Sequence, residues 1–220
     1  MLKKLYNLRF EIFLTIQLLI LFGSLLVPSD FHENILLPVL FLLSIVGGIN
    51  LLSKKKVLMW FFIFHFIISL IIFGSSIFTR TGDGNMLTRL GIYFIFYVFV
   101  TVEIIKQVFR AKVVSKNVVI GLMSGYISLG FLGFFFFMAI ELIYPGAFQG
   151  ALIESENFEI KADGIMYYSF ITLLTIGYGE IVPIVPMAQK AAILIGLAGQ
   201  FYMVIVTAIV IEKYIRHTSE

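Results

Sequence analysis

Six long apolar stretches dominate this sequence and restrict what it can fold into. A helix needs about 20 apolar residues to cross the hydrocarbon layer of a bilayer. The stretches of that kind are residues 8–27, 35–52, 57–78, 87–105, 118–144 and 187–211. Only 13% of the residues are charged and 60% are hydrophobic, whereas a soluble domain carries about 25% charged residues. The sequence therefore predicts an all-α membrane protein with six transmembrane helices.

The basic residues are unevenly divided between the two sides of the predicted spans. Twelve of the 16 fall on the side of both termini: Lys3, Lys4, Arg9, Lys54, Lys55, Lys56, Lys106, Arg110, Lys112, Lys116, Lys213 and Arg216. The other four are Arg80, Arg89, Lys161 and Lys190. Because cytoplasmic loops are enriched in Lys and Arg, we expect a multi-pass plasma-membrane protein with both termini in the cytoplasm. The acidic connection between the last two spans is then outside.

Several classes of function are excluded by the residue inventory. The chain has no cysteine, so disulfides, thiolate metal sites and cysteine nucleophiles are ruled out. The three histidines, at positions 32, 65 and 217, fall on opposite membrane faces and in mid-membrane, where they cannot assemble a catalytic triad. The basic residues lie in short runs between apolar spans rather than on one face, which argues against nucleic-acid binding. We therefore expect neither an enzyme nor a nucleic-acid partner.

A shorter apolar stretch lies between the fifth and sixth spans. It covers residues 165–174, with Asp163 as a plausible N-cap, and a helix of that length would stop halfway through the membrane. The backbone that follows cannot be helical if the chain is to return to the same side. Such backbone is tolerated at membrane depth only where it is buried in protein or lines water.

The segment after this short helix reads Thr175, Ile176, Gly177, Tyr178 and Gly179. Consecutive carbonyls of such a segment, with a threonine hydroxyl below them, can replace the hydration shell of a potassium ion. Inward-facing carbonyls require a backbone of alternating hand, which glycine adopts without steric cost. One chain supplies only a quarter of a coordinating ring, so four copies are implied.

The motif Thr-Ile-Gly-Tyr-Gly-Glu, residues 175–180, resembles the signature of potassium channels, which usually ends in Asp. Tyr167, Tyr168 and Ser169 look like the aromatic pore-helix cuff of that family. Further matches to a bacterial group of ion-channel pore-domain proteins are Gly125-Tyr126, Gly130, Glu141, Pro145 to Phe148, Val182-Pro183 and Gly199 to Tyr202. The resemblance covers about residues 117–214, and for the first four spans it is only architectural.

This resemblance implies the tetrameric potassium-channel fold. Residues 1–112 would form a four-helix transmembrane domain, and residues 113–220 a pore domain of outer helix, re-entrant pore helix, selectivity filter and inner helix. It implies passive conduction by a homotetramer in lipid, with potassium held at Thr175, Ile176, Gly177 and Tyr178, Gly179 completing the filter, and with no cofactor. Two alternatives stay open: a non-conducting or modulatory subunit, and a weakly selective monovalent cation channel, since some of those also carry Gly-Tyr-Gly.

Two acidic residues are candidates to support the filter. By resemblance, the Glu180 carboxylate would bond to Tyr167 or Tyr168 behind the filter. Glu141 would bond to backbone amides near residues 181–182, although a solvated loop charge is an equally good interpretation. Ile171 occupies a position where some simple bacterial channels carry Glu, so a buried carboxylate pair is not expected there.

The gating elements are less distinct. The fourth span carries only Arg89 and Glu103 near its ends, which is not the arginine series of a voltage sensor. Glu103 is expected to pair with Lys106, Gln107 or Arg110, or simply to lie at the cytoplasmic interface. Gly196 and Gly199 in the last span could form a gate hinge or could allow close helix packing. His65, in the third span, is expected to be a packed, hydrogen-bonded residue rather than a proton sensor.

Overall fold

A computed structural model describes residues 6–28, 31–52, 55–78, 84–111 and 115–218 of the chain. Lys3, Lys4, Lys54, Arg80 and Lys112, which entered the orientation argument, lie outside the described residues. The predicted domain boundary after residue 112 lies outside them as well.

The described chain is almost entirely helical. Its α-helices are α1 (Arg9–Phe22), α2 (Leu37–Leu52), α3 (Lys56–Phe78), α4 (Gly84–Arg110), α5 (Lys116–Ile143), α6 (Phe158–Leu173) and α7 (Pro186–Thr218). A 3₁₀ turn (Gly23–Leu25) and a π-helical turn (His32–Leu36) connect α1 to α2. Two short strands, β1 (Phe148–Gln149) and β2 (Val182–Pro183), pair antiparallel on either side of α6.

Three of the described helices contain stretches that are long and apolar enough to cross a membrane. These stretches are Leu87–Arg110, Lys116–Ile143 and Pro186–Glu212, in α4, α5 and α7. Two shorter apolar stretches are Leu37–Leu52, which is α2, and Lys56–Ile71, which lies in α3. The composition of these helices fits an all-α membrane protein, and the count of six spans stays a prediction.

The chain divides into two compact units, Met1–Gly125 and Tyr126–Glu220, and the division falls inside α5. The N-terminal unit has an aromatic core contributed by three helices. The Phe96 ring packs edge-on against Phe62 and Tyr97, with ring centroids 5.3 and 5.1 Å away, and against Phe13 at 6.4 Å. These four side chains are fully buried, so α1, α3 and α4 are held together by ring contacts.

The C-terminal unit is organised around the short helix α6. A second aromatic cluster of Phe137, Phe148 and Tyr168 has ring centroids 5.0–5.5 Å apart. It joins α5, β1 and α6, and all three side chains are buried. Since β1 pairs with β2 just after the segment 175–180, the cluster connects α5 with α6 and with the strand pair that follows this segment.

Candidate functional site: the pore loop

The candidate pore loop consists of α6 and the segment 174–180 that follows it. Helix α6 begins earlier in the chain than the sequence suggested. Its N-cap is Asn157, whose side-chain oxygen accepts a hydrogen bond from the Glu159 amide at 2.7 Å. The predicted cap, Asp163, lies inside the helix, so that prediction was wrong. A 16-residue helix is about 24 Å long, less than the roughly 30 Å of a hydrocarbon core. The helix is therefore too short to span, as predicted.

The position of α6 against α5 depends on glycines and one buried hydroxyl. The Ser169 hydroxyl donates to the Gly130 carbonyl at 2.7 Å and is fully buried. A methyl group at Gly130 would lie 2.3 Å from the Phe170 ring, and one at Gly133 would lie 2.3 Å from the Ser169 hydroxyl oxygen. Gly130 and Gly133 thus let the two backbones approach closely, as small residues do between membrane helices.

The last turn of α6 is closed by backbone hydrogen bonds. The Thr175 amide donates to the Thr172 carbonyl at 3.0 Å, and the Ile176 amide donates to the Ile171 carbonyl at 2.9 Å. The Tyr126 hydroxyl of α5 donates to the Leu173 carbonyl at 3.2 Å. The carbonyl end of a helix carries partial negative charge, and here it lies directly before Thr175. A cation near that residue is electrostatically favoured.

The backbone from Thr175 to Gly179 alternates in hand. Thr175, Gly177 and Gly179 have φ values of +57°, +59° and +94°, whereas Ile176 and Tyr178, between them, are not among the positive-φ residues. Thr175 is the one non-glycine with positive φ in the described part of the chain. Because a β-branched residue strongly disfavours this region, such an outlier is typical of a functional site. Alternation of this kind turns successive carbonyls toward one side.

This segment is uncovered in the single chain. Residues 174–180 are all exposed, and the Tyr178 side chain is 74% exposed. A cavity of about 300 Å³ lies on the α6 side of the segment and is lined by Tyr168, Ile171, Thr172, Thr175, Gly177, Gly179, Ile181 and Pro183. Ile171 forms an apolar part of the cavity wall. No carboxylate side chain therefore stands at this position behind the segment.

Glu180 is tied to α6 through Tyr167. A hydrogen bond from the Tyr167 hydroxyl to the Glu180 carboxylate raises the pKa of Tyr167 to about 12. The hydroxyl is the donor in this contact, and the carboxylate is the acceptor. Of the two tyrosines proposed as partners, Tyr167 makes this contact, while Tyr168 packs in the aromatic cluster with Phe137 and Phe148.

Glu141 is buried, and its side chain is 3% exposed. Its two carboxylate oxygens accept hydrogen bonds from the amides of Gly146 and Phe148, each at 3.1 Å. The Lys161 ammonium lies 3.7 Å from the same carboxylate. The expected donors were amides near residues 181–182, and this prediction was wrong, because the donors are the amides of Gly146 and Phe148. The carboxylate holds β1, which in turn pairs with Val182 and Pro183.

Replacing Glu141 by Gln should destabilise the outer part of the pore domain. The amide group keeps one acceptor but presents an N–H group to a second backbone N–H, and a buried unsatisfied donor costs about 1–3 kcal/mol. We expect a lower melting temperature of the detergent-purified protein than for Glu154→Gln, a matched change at an exposed glutamate in the connection between α5 and α6. Equal melting temperatures would show that the carboxylate does not support this structure.

The two candidate hinge glycines have different surroundings. A methyl group at Gly199 would lie 2.2 Å from the Leu173 carbonyl oxygen and 3.1 Å from the Leu173 carbonyl carbon. At Gly196 the nearest atom is the Thr172 carbonyl oxygen, at 3.9 Å, which is an ordinary contact. Of the two interpretations left open by the sequence, close packing is thus favoured at Gly199, where α7 contacts the end of α6.

Some contacts at and beyond the pore loop were not predicted. The Gln200 amide of α7 donates to the Thr175 hydroxyl at 3.3 Å, a contact between residues 25 positions apart. In the N-terminal unit, Glu103 pairs with Lys55 at 2.6 Å, not with a residue of its own helix. His65 is packed, and its Nε2 lies 2.7 Å from the Ile92 carbonyl oxygen, as predicted. The first two pairs join residues far apart in the chain, and no local sequence pattern indicates such partners.

The C-terminal unit agrees with a known family of membrane proteins. Residues 126–216 match the Ion_trans_2 family model, described as Ion channel. Searches among curated proteins and among solved structures found no match to the chain. The matched range begins at the first residue of the C-terminal unit and includes α6, the alternating segment and α7 as far as residue 216. The family match supports an ion channel function for this chain.

Proposed function

We propose that this chain is one subunit of a potassium-selective channel whose filter is Thr175, Ile176, Gly177, Tyr178 and Gly179. The observation that supports it is the alternation of backbone hand at Thr175, Gly177 and Gly179, directly after a helix too short to cross a membrane. Thr175 closes α6 as a left-handed cap, whereas Gly177 and Gly179 continue the alternation beyond the helix end. This alternation orients several consecutive carbonyls in one direction, which is what coordination of a dehydrated cation requires.

Potassium is the proposed ion because the ligands are neutral oxygens and because Thr175 precedes Ile-Gly-Tyr-Gly, as in the potassium-channel signature that this segment resembles. The backbone carbonyls of residues 175–178, with the Thr175 hydroxyl at the innermost level, would replace the hydration shell step by step along the filter. Transport is passive, and successive ions move along their electrochemical gradient by mutual repulsion. The chain performs no catalysis in this proposal, has no resident cofactor and takes no nucleic-acid partner.

A homotetramer completes the site. The filter segment is exposed in one chain, and α7 is the least covered of the long apolar helices, with 11% of its apolar window buried against 56% for α5. An uncovered apolar helix beside an uncovered polar loop is typical of a surface that meets other subunits. Four copies around an axis would place the filter in the centre and α7 around it.

We further propose six spans in the plasma membrane, surrounded by lipid, with both termini in the cytoplasm. The first four spans belong to a domain of residues 1–112, and the pore domain comprises residues 113–220. The basic residues on the side of the termini support this orientation. The loop with Glu154 and Glu156 would then lie outside, where its negative charge attracts cations to the entrance.

Potassium flux from liposomes tests the function directly. Purified protein is reconstituted with potassium inside, and flux is measured with and without barium. Bilayer recordings with potassium on one side and sodium on the other then give the reversal potential. We expect barium-sensitive flux and a reversal potential near the potassium equilibrium value. A reversal potential near zero would indicate a weakly selective cation channel, and silence across voltage, pH and calcium would indicate a modulatory subunit.

A further inference from the structure

One contact connects the last helix with the inner end of the proposed filter. The Gln200 side-chain amide donates to the Thr175 hydroxyl at 3.3 Å. Both residues are exposed in the single chain, so the pair lies on the uncovered side of the C-terminal unit rather than in its core. A polar side chain at this depth of an apolar helix is costly unless it has a partner or a function.

The position of Gln200 is fixed by its neighbours along α7. Gly199, the preceding residue, packs its backbone against the Leu173 carbonyl, where a methyl group would lie 2.2 Å from the oxygen. Two residues further on, the buried Tyr202 ring lies 5.5 Å from Tyr126 of α5. These two contacts set the rotation and height of α7. The Gln200 amide therefore meets the filter at a defined place and is not a freely mobile surface group.

The contact determines which way the Thr175 hydroxyl can point. A threonine hydroxyl has one hydrogen and two acceptor positions. An N–H group from Gln200 uses one acceptor position and leaves the other for a cation. A glutamine amide also has a second N–H group and a carbonyl oxygen, so the contact does not exhaust its hydrogen-bonding capacity.

We propose that Gln200 is a positioning residue for the innermost cation site of the filter, acting through the hydroxyl of Thr175. This inference rests on the proposed channel function and deepens it. In the tetramer, four glutamine amides orient four hydroxyls at the level where a cation enters or leaves the filter. The side chain sets how tightly that site holds a dehydrated cation, whereas the carbonyls further along the filter are unaffected.

Barium block is the measurement that isolates this site. Barium is close to potassium in size but carries twice the charge, so it occupies the filter and stops current. We expect Gln200→Leu, which removes the donor at similar volume, to weaken block from the inner side by roughly threefold to tenfold. For the four subunits together, this range corresponds to about the net contribution of one neutral hydrogen bond. Gln200→Asn, one methylene shorter, is expected to act in the same direction.

Gln189→Leu is the matched control on the same helix. The Gln189 amide donates to the carbonyls of Pro183 and Ile184 at 3.3 and 3.4 Å, after the filter and far along α7 from Gln200. The same chemical change at that position should leave inner-side block unchanged. Equal changes in both variants would indicate a general loss of polarity in α7 and would overturn the inference.

A double-mutant cycle tests whether the effect passes through the hydroxyl. Thr175→Ser keeps the hydroxyl, so Gln200→Leu should weaken barium binding in that background too. Thr175→Val removes the hydroxyl, and Gln200→Leu should then have no additional effect. Calorimetric barium binding to the purified protein replaces block for any variant that does not conduct. If Gln200→Leu weakens barium binding further in the Thr175→Val background, Gln200 does not act through the hydroxyl, and the inference is contradicted.

The outcomes separate this inference from the proposed function. If the unmodified protein carries no potassium current and binds no barium, the channel proposal fails. If it conducts and is blocked normally while both Gln200 variants match it, the channel proposal stands and only the role of Gln200 is overturned.

Discussion

Replacing Gly177 by alanine is expected to abolish potassium current. Gly177 has φ of +59°, where an L-residue with a Cβ atom costs about 1–2 kcal/mol per subunit. Thr175, two positions before, already carries a positive φ. The alanine variant can relieve this backbone strain most easily by rotating the adjacent peptide. That rotation turns one carbonyl away from the axis of the proposed tetramer. With four copies affected, we expect current to fall by at least a hundredfold.

The expected loss of current does not come from a steric clash inside the chain. A Cβ atom at Gly177 would meet no atom within 4 Å, so the subunit should still fold and the loss is conformational. The matched control is Gly91→Ala in α4, where a Cβ atom also meets nothing within 4 Å but φ is not positive. The measurements are liposome flux, melting temperature and particle mass. Current of ordinary size and selectivity in the Gly177 variant would refute the filter assignment.

The sequence was sufficient to predict the short helix and the backbone that follows it because their signals are local. A ten-residue apolar stretch followed by Thr-Ile-Gly-Tyr-Gly predicts a half-membrane helix and a segment of alternating hand. The positive φ values of Gly177 and Gly179 agree with that prediction. The positive φ of Thr175 could not be predicted, since nothing in a threonine side chain favours that conformation. It is imposed by the end of α6, where the Thr175 amide bonds to Thr172.

Contacts between distant residues were the less predictable part. Glu141 was recognised as a support residue, but its amide donors depend on how residues 144–148 turn back toward α5. The start of α6 was placed six residues late because Asp163 and Asn157 are both good N-caps. The pairing of Glu103 with Lys55 required knowing which faces of α4 and the end of α2 meet. The nearly uniform apolar patterns of α2 and α3 give no such information, because they have no distinct face.

Replacing Gly199 by alanine is expected to destabilise the pore domain strongly. The added methyl group would lie 2.2 Å from the Leu173 carbonyl oxygen and 3.1 Å from its carbon. These are backbone atoms at the end of α6, so neither can move away as the end of a flexible side chain can. The same carbonyl also accepts a hydrogen bond from Tyr126. Overpacking of this kind costs about 1–3 kcal/mol, and occasionally more, in every subunit.

The matched change at Gly196 distinguishes packing from hinge bending. Its nearest atom would be 3.9 Å away, so alanine fits, and helix propensity favours alanine over glycine by about 1 kcal/mol. Close packing therefore predicts a lower melting temperature and less assembled protein for Gly199→Ala, with Gly196→Ala unchanged or more stable. A hinge at Gly199 predicts a stable, fully assembled variant whose channels open less often. Because the two mechanisms move thermal stability in opposite directions, melting curves and single-channel recordings of the same two proteins decide between them.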